Sequence, residues 1–483
     1  MISRDEVLEF AREFQLAANV VEKDYALGWL LAGISSHQEL SDTWVFKGGT
    51  CLKKCFFETY RFSEDLDFTL RDPAHLNEAF LARVFAEVAE WVYENSGLEM
   101  PVEAQRFEIF TNPRGSPAAQ GRVGYRGPLA RGGDLPRIKL DLASDEVLVL
   151  DPVRRHVHHP YSDEPEAGIE VLCYAFEEVF AEKIRALAER QRPRDLYDVI
   201  HLHRHQELGA NRNLVRTTLG RKCEFKNIPV PSFGFLANRP EREEIEAEWE
   251  TMLAHQLPVC PPFEQFWTEL PGVFVWLERE EIVVSPAPAR IAALTEQEDE
   301  TWQAPAMATA WGYQAPLETI RFAAANRLCV ELGYQGSTRS IEPYSLRRTK
   351  ANDLLLYAVR SDNSEIHAYR VDRIESAAIT RRTFVPRFAV ELTAAGAIVA
   401  PSASSGEPRA RLGLPRSRTP VPRRTVSRRR SAPAFGQIKY IFECPACHKR
   451  FTRSSYDATL NPHKNKQGWD CYGSVGHYRG TRH

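Results

Sequence analysis

Apolar residues recur along the first half of the chain with helical and strand periods in turn. Val7, Phe10, Phe14 and Leu16 line one face of an opening amphipathic helix. A second helix carries Glu22-Lys23-Asp24-Tyr25 and gains a buried face from Leu27, Leu30 and Leu31. A short strand over 43–46 runs into Gly48-Gly49, and a helical pattern resumes over 52–58. Asp65-Leu66-Asp67-Phe68 then alternates polar and apolar residues as a strand does. Residues 77–93 are periodic at the helical spacing, 137–142 alternate as a further strand, and 176–190 form a helix that Pro193 ends. Another helix starts near Arg194. The pattern predicts one mixed α/β unit over 1–275.

The rest of the chain divides by composition. Residues 276–315 are richer in Pro, Ala and acidic residues and read as a connector. A compact unit over 316–395 opens with a helix (317–326) and continues as short strands at 328–334, 339–346, 354–359 and 365–371, separated by turn residues. Residues 396–436 carry nine arginines against one glutamate among many prolines and serines, the composition of a disordered linker. It serves either as a solvated tether or as an electrostatic contact to nucleic acid. A small cysteine-bearing unit over 437–483 follows.

Bulk numbers narrow the class without naming it. A chain of 483 residues has room for two to four domains, and a net charge of −3 identifies no partner. Nine cysteines, of which only Cys444, Cys447 and Cys471 cluster in sequence, argue against a secreted disulfide scaffold. The N-terminus lacks a basic segment followed by an apolar one, and the apolar run over 25–34 is far short of the roughly 20 residues of a membrane span. These features lead us to expect a soluble cytoplasmic protein.

Chemistry concentrates around the first glycine pair. Asp65 and Asp67 are two apart on a strand, so their carboxylates share a face. Oxygen ligands of this kind suit Mg²⁺, and a glycine turn lets phosphate approach the backbone. Gly48, Gly49 and Thr50 would cradle phosphates, with Arg61 and Ser63 in reach. Asp141, on the 137–142 strand, is the natural third carboxylate, positioning a metal or helping to accept a proton. Downstream, Glu182-Lys183 precedes Arg190, Arg192 and Arg194-Asp195-Leu196-Tyr197-Asp198. Lys183 would reach a triphosphate as a point charge, and Arg192 or Arg194 would bind phosphate through a guanidinium fork. Asp195 and Asp198, three apart, share a helix face and would complete the catalytic face. The bland alternative is a salt-bridged helical hairpin. The whole set points to nucleotidyl transfer.

In their order, Glu22-Lys23-Asp24-Tyr25, Phe46-Lys47-Gly48-Gly49-Thr50, Arg61-Phe62-Ser63-Glu64-Asp65-Leu66-Asp67, and Glu182-Lys183 with Arg194-Asp195-Leu196-Tyr197-Asp198 resemble the AbiEii/AbiGii toxin family of nucleotidyltransferases, within the DNA polymerase β-like superfamily. The resemblance covers about 1–275. It implies an α+β polymerase β-like fold and a toxin of a type IV toxin–antitoxin or abortive-infection (phage defence) system. It also implies an NTP substrate, an RNA acceptor (tRNA in relatives) and a cognate antitoxin, with Asp65, Asp67, Lys183 and Asp198 as the functional core. Many superfamily members have Gly-Ser where this chain has Gly49-Thr50; threonine keeps the hydroxyl.

Residues 316–395 resemble a WYL domain, an SH3-like β-barrel, through Arg339-Ser340-Ile341-Glu342-Pro343-Tyr344-Ser345-Leu346-Arg347, Leu354-Leu355-Leu356-Tyr357-Ala358 and Tyr369-Arg370-Val371-Asp372-Arg373-Ile374. The name-giving Trp is absent. Arg339, Arg347, Arg348, Arg370 and Arg373, with Tyr344 and Tyr369 as stacking platforms, would bind nucleic acid or a nucleotide; a barrel core with snorkelling arginines is the alternative. In the last unit Cys444-Pro445-Ala446-Cys447 and Cys471 have metal-ligand spacing, with His463, or alternatively His477, as fourth Zn²⁺ ligand. Interleaved basic and aromatic residues make it zinc-ribbon-like and suited to nucleic acid. Two readings from other classes stay open: a binding regulator with an inactive transferase domain, and a transferase acting on a small molecule.

Overall fold

The computed structural model describes residues 1–278 except 58–59, 113, 131, 206–209 and 238–240; residues 316–392 except 350–352; and 439–444, 447, 449–453, 463–464, 470–471 and 477–482. The expected connector from 279 onward and the expected linker over 396–436 lie outside the described residues. The chain forms two compact units, Met1–Ser405 and Gly406–His483.

The first unit opens with α1 (Arg4–Glu13), whose cap Ser3 accepts a hydrogen bond from the Glu6 backbone. It continues through α2 (Ala18–Ser36), β1 (Trp44–Lys47), α3 (Gly48–Cys51) with a π-helical turn (Leu52–Phe56), β2 (Asp65–Leu70) and α4 (Glu78–Ser96). Asn77 caps α4, and Gly97 at φ +74° ends it. Next come β3 (Gln105–Thr111), β4 (Pro117–Gly124), β5 (Arg137–Ala143), β6 (Val153–His156) and β7 (Glu170–Cys173). Helices α5 (Phe176–Arg190), α6 (Pro193–Arg204), α7 (Arg212–Lys226), α8 (Phe233–Ala237), α9 (Glu241–Leu253) and α10 (Phe263–Glu278) follow. Pro193 does more than end a helix: it occupies the first turn of α6, where its missing N–H costs nothing.

The seven strands form one mixed sheet in the order β3-β4-β5-β2-β1-β7-β6. Pairing of β2 with β5 and of β1 with β7 is parallel; the remaining pairs are antiparallel. One face is apolar. Phe107, Val123, Ile138, Leu140, Leu66 and Phe68 are buried there, and α4 covers it through Phe85, whose ring lies 4.8 Å from that of Phe107. Burial at about 25 cal/mol per Å² of apolar surface makes this core the principal stabilising term. The opposite face carries the polar alternates, and the cleft opens there.

The Glu22-Lys23-Asp24-Tyr25 segment proves to be a structural brace. Glu22 accepts the Leu129 backbone N–H at 2.7 Å, and Lys23 pairs with Glu64, next to Asp65, at 2.7 Å. Asp24 pairs with fully buried Lys54 of the π-helical turn at 2.7 Å and accepts from Tyr161, while Tyr25 donates to Asp163.

Helix α11 (Leu317–Ala325) and strands β8 (Leu328–Tyr334), β9 (Ser337–Arg348), β10 (Leu354–Arg360), β11 (Ile366–Arg370) and β12 (Ile374–Thr383) form a separate antiparallel sheet, ordered β11-β10-β9-β8-β12. It belongs to the same compact unit. Tyr197 of α6 donates to Asn326 Oδ1 at 3.0 Å, Arg204 donates to the Ala325 carbonyl, and Gln265 of α10 donates to the Asn326 carbonyl. The stacking platforms expected here are core residues: Tyr344 and Tyr369 are buried. Arg370 pairs with Asp353 and Asp372, and Arg347 with Glu391, so these guanidinium groups are already engaged.

The second unit contains β13 (Lys439–Glu443), β14 (Arg450–Arg453), β15 (His463–Lys464), β16 (Asp470–Cys471) and β17 (His477–Arg482). Its strands form a sheet ordered β14-β13-β17 and a two-stranded ribbon, β15-β16.

Candidate active site

Register across four strands builds the site. Lys47 of β1 stands opposite Asp67 of β2, Asp67 opposite Asp141 of β5, and Asp141 opposite Gln120 of β4. One step along, Asp65 stands opposite Lys139. Side chains opposite each other share a sheet face, so three carboxylates meet on the polar face beside two lysines. They floor an open cleft of about 340 Å³, within the size range of small-molecule sites. Its other wall comes from α5 and the start of α6, with Lys183, Arg190, Arg192, Arg194 and Asp195.

The glycine turn is shaped for close approach. Gly48 has φ +79°, and a Cβ there would lie 2.1 Å from Asp67 Oδ2. A Cβ on Gly49 would lie 2.5 Å from a terminal nitrogen of Arg61. Only glycine leaves room for those side chains in the cleft. Thr50 has a different place: it is buried, and its hydroxyl donates to the Asp65 carbonyl at 2.5 Å. It pins the start of β2, while Gly48, Gly49, Arg61 and Ser63 line the cleft.

Charge is treated in opposite ways on the two sides. Asp65 and Asp67 make no hydrogen bond and no contact ion pair through their carboxylates among the described residues. Burial, with the neighbouring Asp141 charge, raises both above the ordinary carboxylate range, although Lys139 beside Asp65 and Lys47 beside Asp67 oppose the shift. Asp141 is paired with Lys139 at 2.6 Å and accepts from Gln120 at 3.2 Å.

Asp198 is fully buried behind the cleft wall and does not line it. It accepts two bonds from Arg61 at 2.7 and 2.8 Å, one from Tyr60 at 2.5 Å, and pairs with Lys183 at 2.7 Å. Burial alone would raise its carboxyl; Arg61 and Lys183 outweigh that and hold it well below the usual range. Asp195, also buried, holds Arg190 through two bonds of 2.7 and 2.8 Å. Arg194 and Arg192 make no ion pair among the described residues and are open to an incoming anion. In the alternative of a salt-bridged helical hairpin Arg194 would pair with Asp198; Asp198 pairs instead with Arg61 and Lys183.

Three cleft cations were given no role by the sequence. Lys47 lies 3.9 Å from Glu182, and that charge keeps its ammonium protonated despite burial. Glu182 is correspondingly held low, and Lys222 pairs with it and with buried Glu178. Lys139 and Arg190 complete the set. Alternation on the 137–142 strand could have marked Lys139; Lys47 was legible only as the residue before Gly48.

The donor set fits a hard divalent cation: two unpaired, partly buried carboxylates on one face, with a third one strand away. In the second unit, the sulfurs of Cys444, Cys447 and Cys471 lie within 4.8 Å of one another, 3.7 Å apart for Cys444 and Cys471. Three thiols this close together suit a soft metal. The backbone of His463 lies directly opposite Cys471, and its side chain lies outside the described residues. Folding also brings Cys173 to Cys51 and Cys55 in a buried cluster within 4.8 Å. Burial pushes the Cys51 and Cys55 thiols up, and they pack as small apolar side chains.

Residues 29–269, which contain every residue of the cleft, match the family described as "Nucleotidyl transferase AbiEii toxin, Type IV TA system". They form an AbiEii nucleotidyltransferase domain. The domain belongs to the nucleotidyltransferase toxins of type IV toxin–antitoxin systems, enzymes that take a nucleoside triphosphate and are paired with a cognate antitoxin. Among solved structures, the chain is similar to MenT4, a nucleotidyltransferase toxin from Mycobacterium tuberculosis H37Rv, at 20% identity and a TM-score of 0.41 over 58% of this chain and 91% of that one. It is also similar to JHP933 from Helicobacter pylori, at 18% identity and a TM-score of 0.34 over 54% of this chain and 93% of that one. No curated protein matches the chain. No described helix is long and apolar enough to cross a membrane.

Proposed function

We propose that the AbiEii domain transfers a nucleotide from an NTP to an RNA acceptor, with tRNA as the target, in a Mg²⁺-dependent reaction that acts as a toxin in phage defence. The observation that carries this is the pair Asp65 and Asp67: unpaired carboxylates facing a cleft whose far wall supplies Lys183, Arg190 and Arg194. A decayed transferase has no reason to hold two carboxylates in this costly state.

Arg194, with Arg190 held by Asp195, grips the β- and γ-phosphates. Lys183 and Arg61, fixed by Asp198, present positive charge at the base of the cleft. Gly48 and Gly49 let the phosphates come close to the backbone. Asp65 and Asp67 would hold a magnesium ion, which would supply charge neutralisation at the α-phosphate and the departing pyrophosphate. Asp141 receives the acceptor hydroxyl's proton as its oxygen bonds to the α-phosphorus and pyrophosphate leaves. Asp198 is a positioning residue here, acting through Arg61 and Lys183.

Outside the AbiEii domain, the 316–395 unit is a WYL-like module and 437–483 a zinc-ribbon-like module stapled by Cys444, Cys447, Cys471 and His463, both serving to recruit nucleic acid or sense a nucleotide in the cytoplasm. The sequence character of each and the three-thiol cluster support this assignment. Incubation of the full chain with labelled NTP, Mg²⁺ and bulk tRNA should give label that ribonuclease removes. Asp67→Ala should abolish both labelling and growth toxicity; retained toxicity in that variant would sink the enzymatic reading.

A further inference from the structure

We propose that the open polar face of β3, β4 and β5 is the track along which the acceptor's single-stranded 3′ end reaches Asp65 and Asp67. This rests on the reading of RNA as acceptor, and extends it to a surface outside the cleft.

The register places the track. Arg106 of β3 stands opposite Arg122 of β4, Arg122 opposite Lys139 of β5, and Lys139 opposite Asp65. Four strands therefore carry an unbroken row of three cations ending at a catalytic carboxylate. At about 4.8 Å per strand, the row extends about 14 Å from Asp65. Arg106 and Arg122 are exposed.

Both lack a carboxylate partner among the described residues, as do exposed Arg71 and Arg216; what distinguishes the pair is its place in the row. Exposed Arg83, Arg114, Arg126 and Arg154 each hold a carboxylate. Among the described residues, Arg106 bonds only the backbone carbonyls of Glu103 and Gln105, and Arg122 only the side-chain oxygen of Gln120. Neither makes an ion pair among the described residues. Arg137, exposed on the same face, has none either. Glu108 and Asp141 are the acidic groups on this stretch of the face, and Lys139 already pairs with Asp141.

An aromatic group completes the surface. Phe110 is on the same face, 46% exposed, and its cross-strand neighbours are the small residues Ala118 and then Ala143. The ring stands about 14 Å along β3 from Arg106, beyond Glu108, and a bare ring on the face that carries these guanidinium groups suits a strand of phosphates with unstacked bases. A small acceptor has nothing to meet 14 Å from the reacting atoms. On the proposed reading a free nucleotide sits in the cleft.

The test uses the full chain, labelled NTP and bulk tRNA, with Arg106→Glu/Arg122→Glu, Arg106→Lys/Arg122→Lys and Phe110→Ala compared with wild type. The glutamate pair should raise KM for tRNA at least about tenfold, leave kcat and KM for NTP within about twofold, and flatten the salt dependence of tRNA KM by about one logarithmic unit per decade or more. The lysine pair should keep most of the wild-type KM, since charge rather than fork geometry holds the backbone. Phe110→Ala should raise KM for tRNA about fivefold or more. Unchanged tRNA KM and salt slope in the glutamate pair, with wild type active, would overturn the track while leaving RNA as acceptor. Wild type that labels no RNA at all would instead overturn the underlying reading, and the track with it.

Discussion

Asp67 and Asp198 flank the same cleft and are treated in opposite ways. Asp67 stands in the cleft with no partner among the described residues, and burial and Asp141 push its carboxyl up. Asp198 lies behind the wall with Arg61, Lys183 and Tyr60 on its oxygens, and its carboxyl is held down. On the proposed reading, the difference separates the carboxylate that works from the one that positions. A saturated carboxylate has no coordination left for a substrate or a cation; an unsaturated one is a cost that a ligand relieves.

Breaking the saturated side should have the largest effect on folding. Asp198→Ala leaves Arg61 and Lys183 buried without their anion, and should cost about 3–5 kcal/mol of stability by urea denaturation, with activity lost as well. Because the Asp198 carboxyl is depressed, its contribution is present above its unfolded pKa and is lost as pH falls through the folded value. The acid limb of a stability–pH profile should therefore weaken in the variant.

On the unsaturated side the signs reverse. Asp67→Asn should lower transfer about 100- to 1000-fold while raising the melting temperature in metal-free buffer. A raised carboxyl contributes stability below its unfolded pKa and loses it as pH rises through the folded value, so ionised Asp67 is a burden at neutral pH. Magnesium should accordingly raise the melting temperature of wild type more at pH 7.5 than at pH 5, and the variant should lose most of that response. An equal magnesium response in both proteins would place the cation elsewhere.

Smaller changes sharpen the same contrast. Gly48→Ala meets both a positive φ and Asp67 Oδ2 at 2.1 Å, so a loss of about 1–2 kcal/mol in stability and about tenfold in kcat is expected. The smallest effect is at the rear of α6: Asn326→Ala leaves the Tyr197 hydroxyl unpaired and should cost about 1 kcal/mol in denaturant titration, with KM for NTP unchanged.

Much of the site was legible because strand alternation is a strong rule. Asp65, Asp67 and Asp141 come together as two strands of period two must bring them if paired in parallel. Elements with clear periodicity fall close to their expected bounds, as α5 and β5 show. Strands β3, β4, β6 and β7 and helices α7 to α10 carry no comparable motif, and their place is fixed by tertiary pairing. The roles of Asp195 and Asp198 were hidden for another reason. Helical spacing puts them on one face but does not reveal whether that face meets solvent or a buried guanidinium. Thr50 was similarly ambiguous, since a hydroxyl at a phosphate turn and one pinning a neighbouring strand look the same in sequence.

The hydrogen bonds from α6 and α10 to Ala325 and Asn326 bear on how the enzyme can be cut and moved. The family match stops at residue 269, yet the helix that holds Asp195 and Asp198 has its rear polar groups completed from beyond residue 320. A fragment ending at the family boundary would carry the whole reaction chemistry on a helix with an open back. The portable catalytic piece of this protein is therefore longer than the family domain and reaches through the five-stranded sheet. Transplanting the toxin activity into another chain should succeed with 1–392 and falter with 1–275.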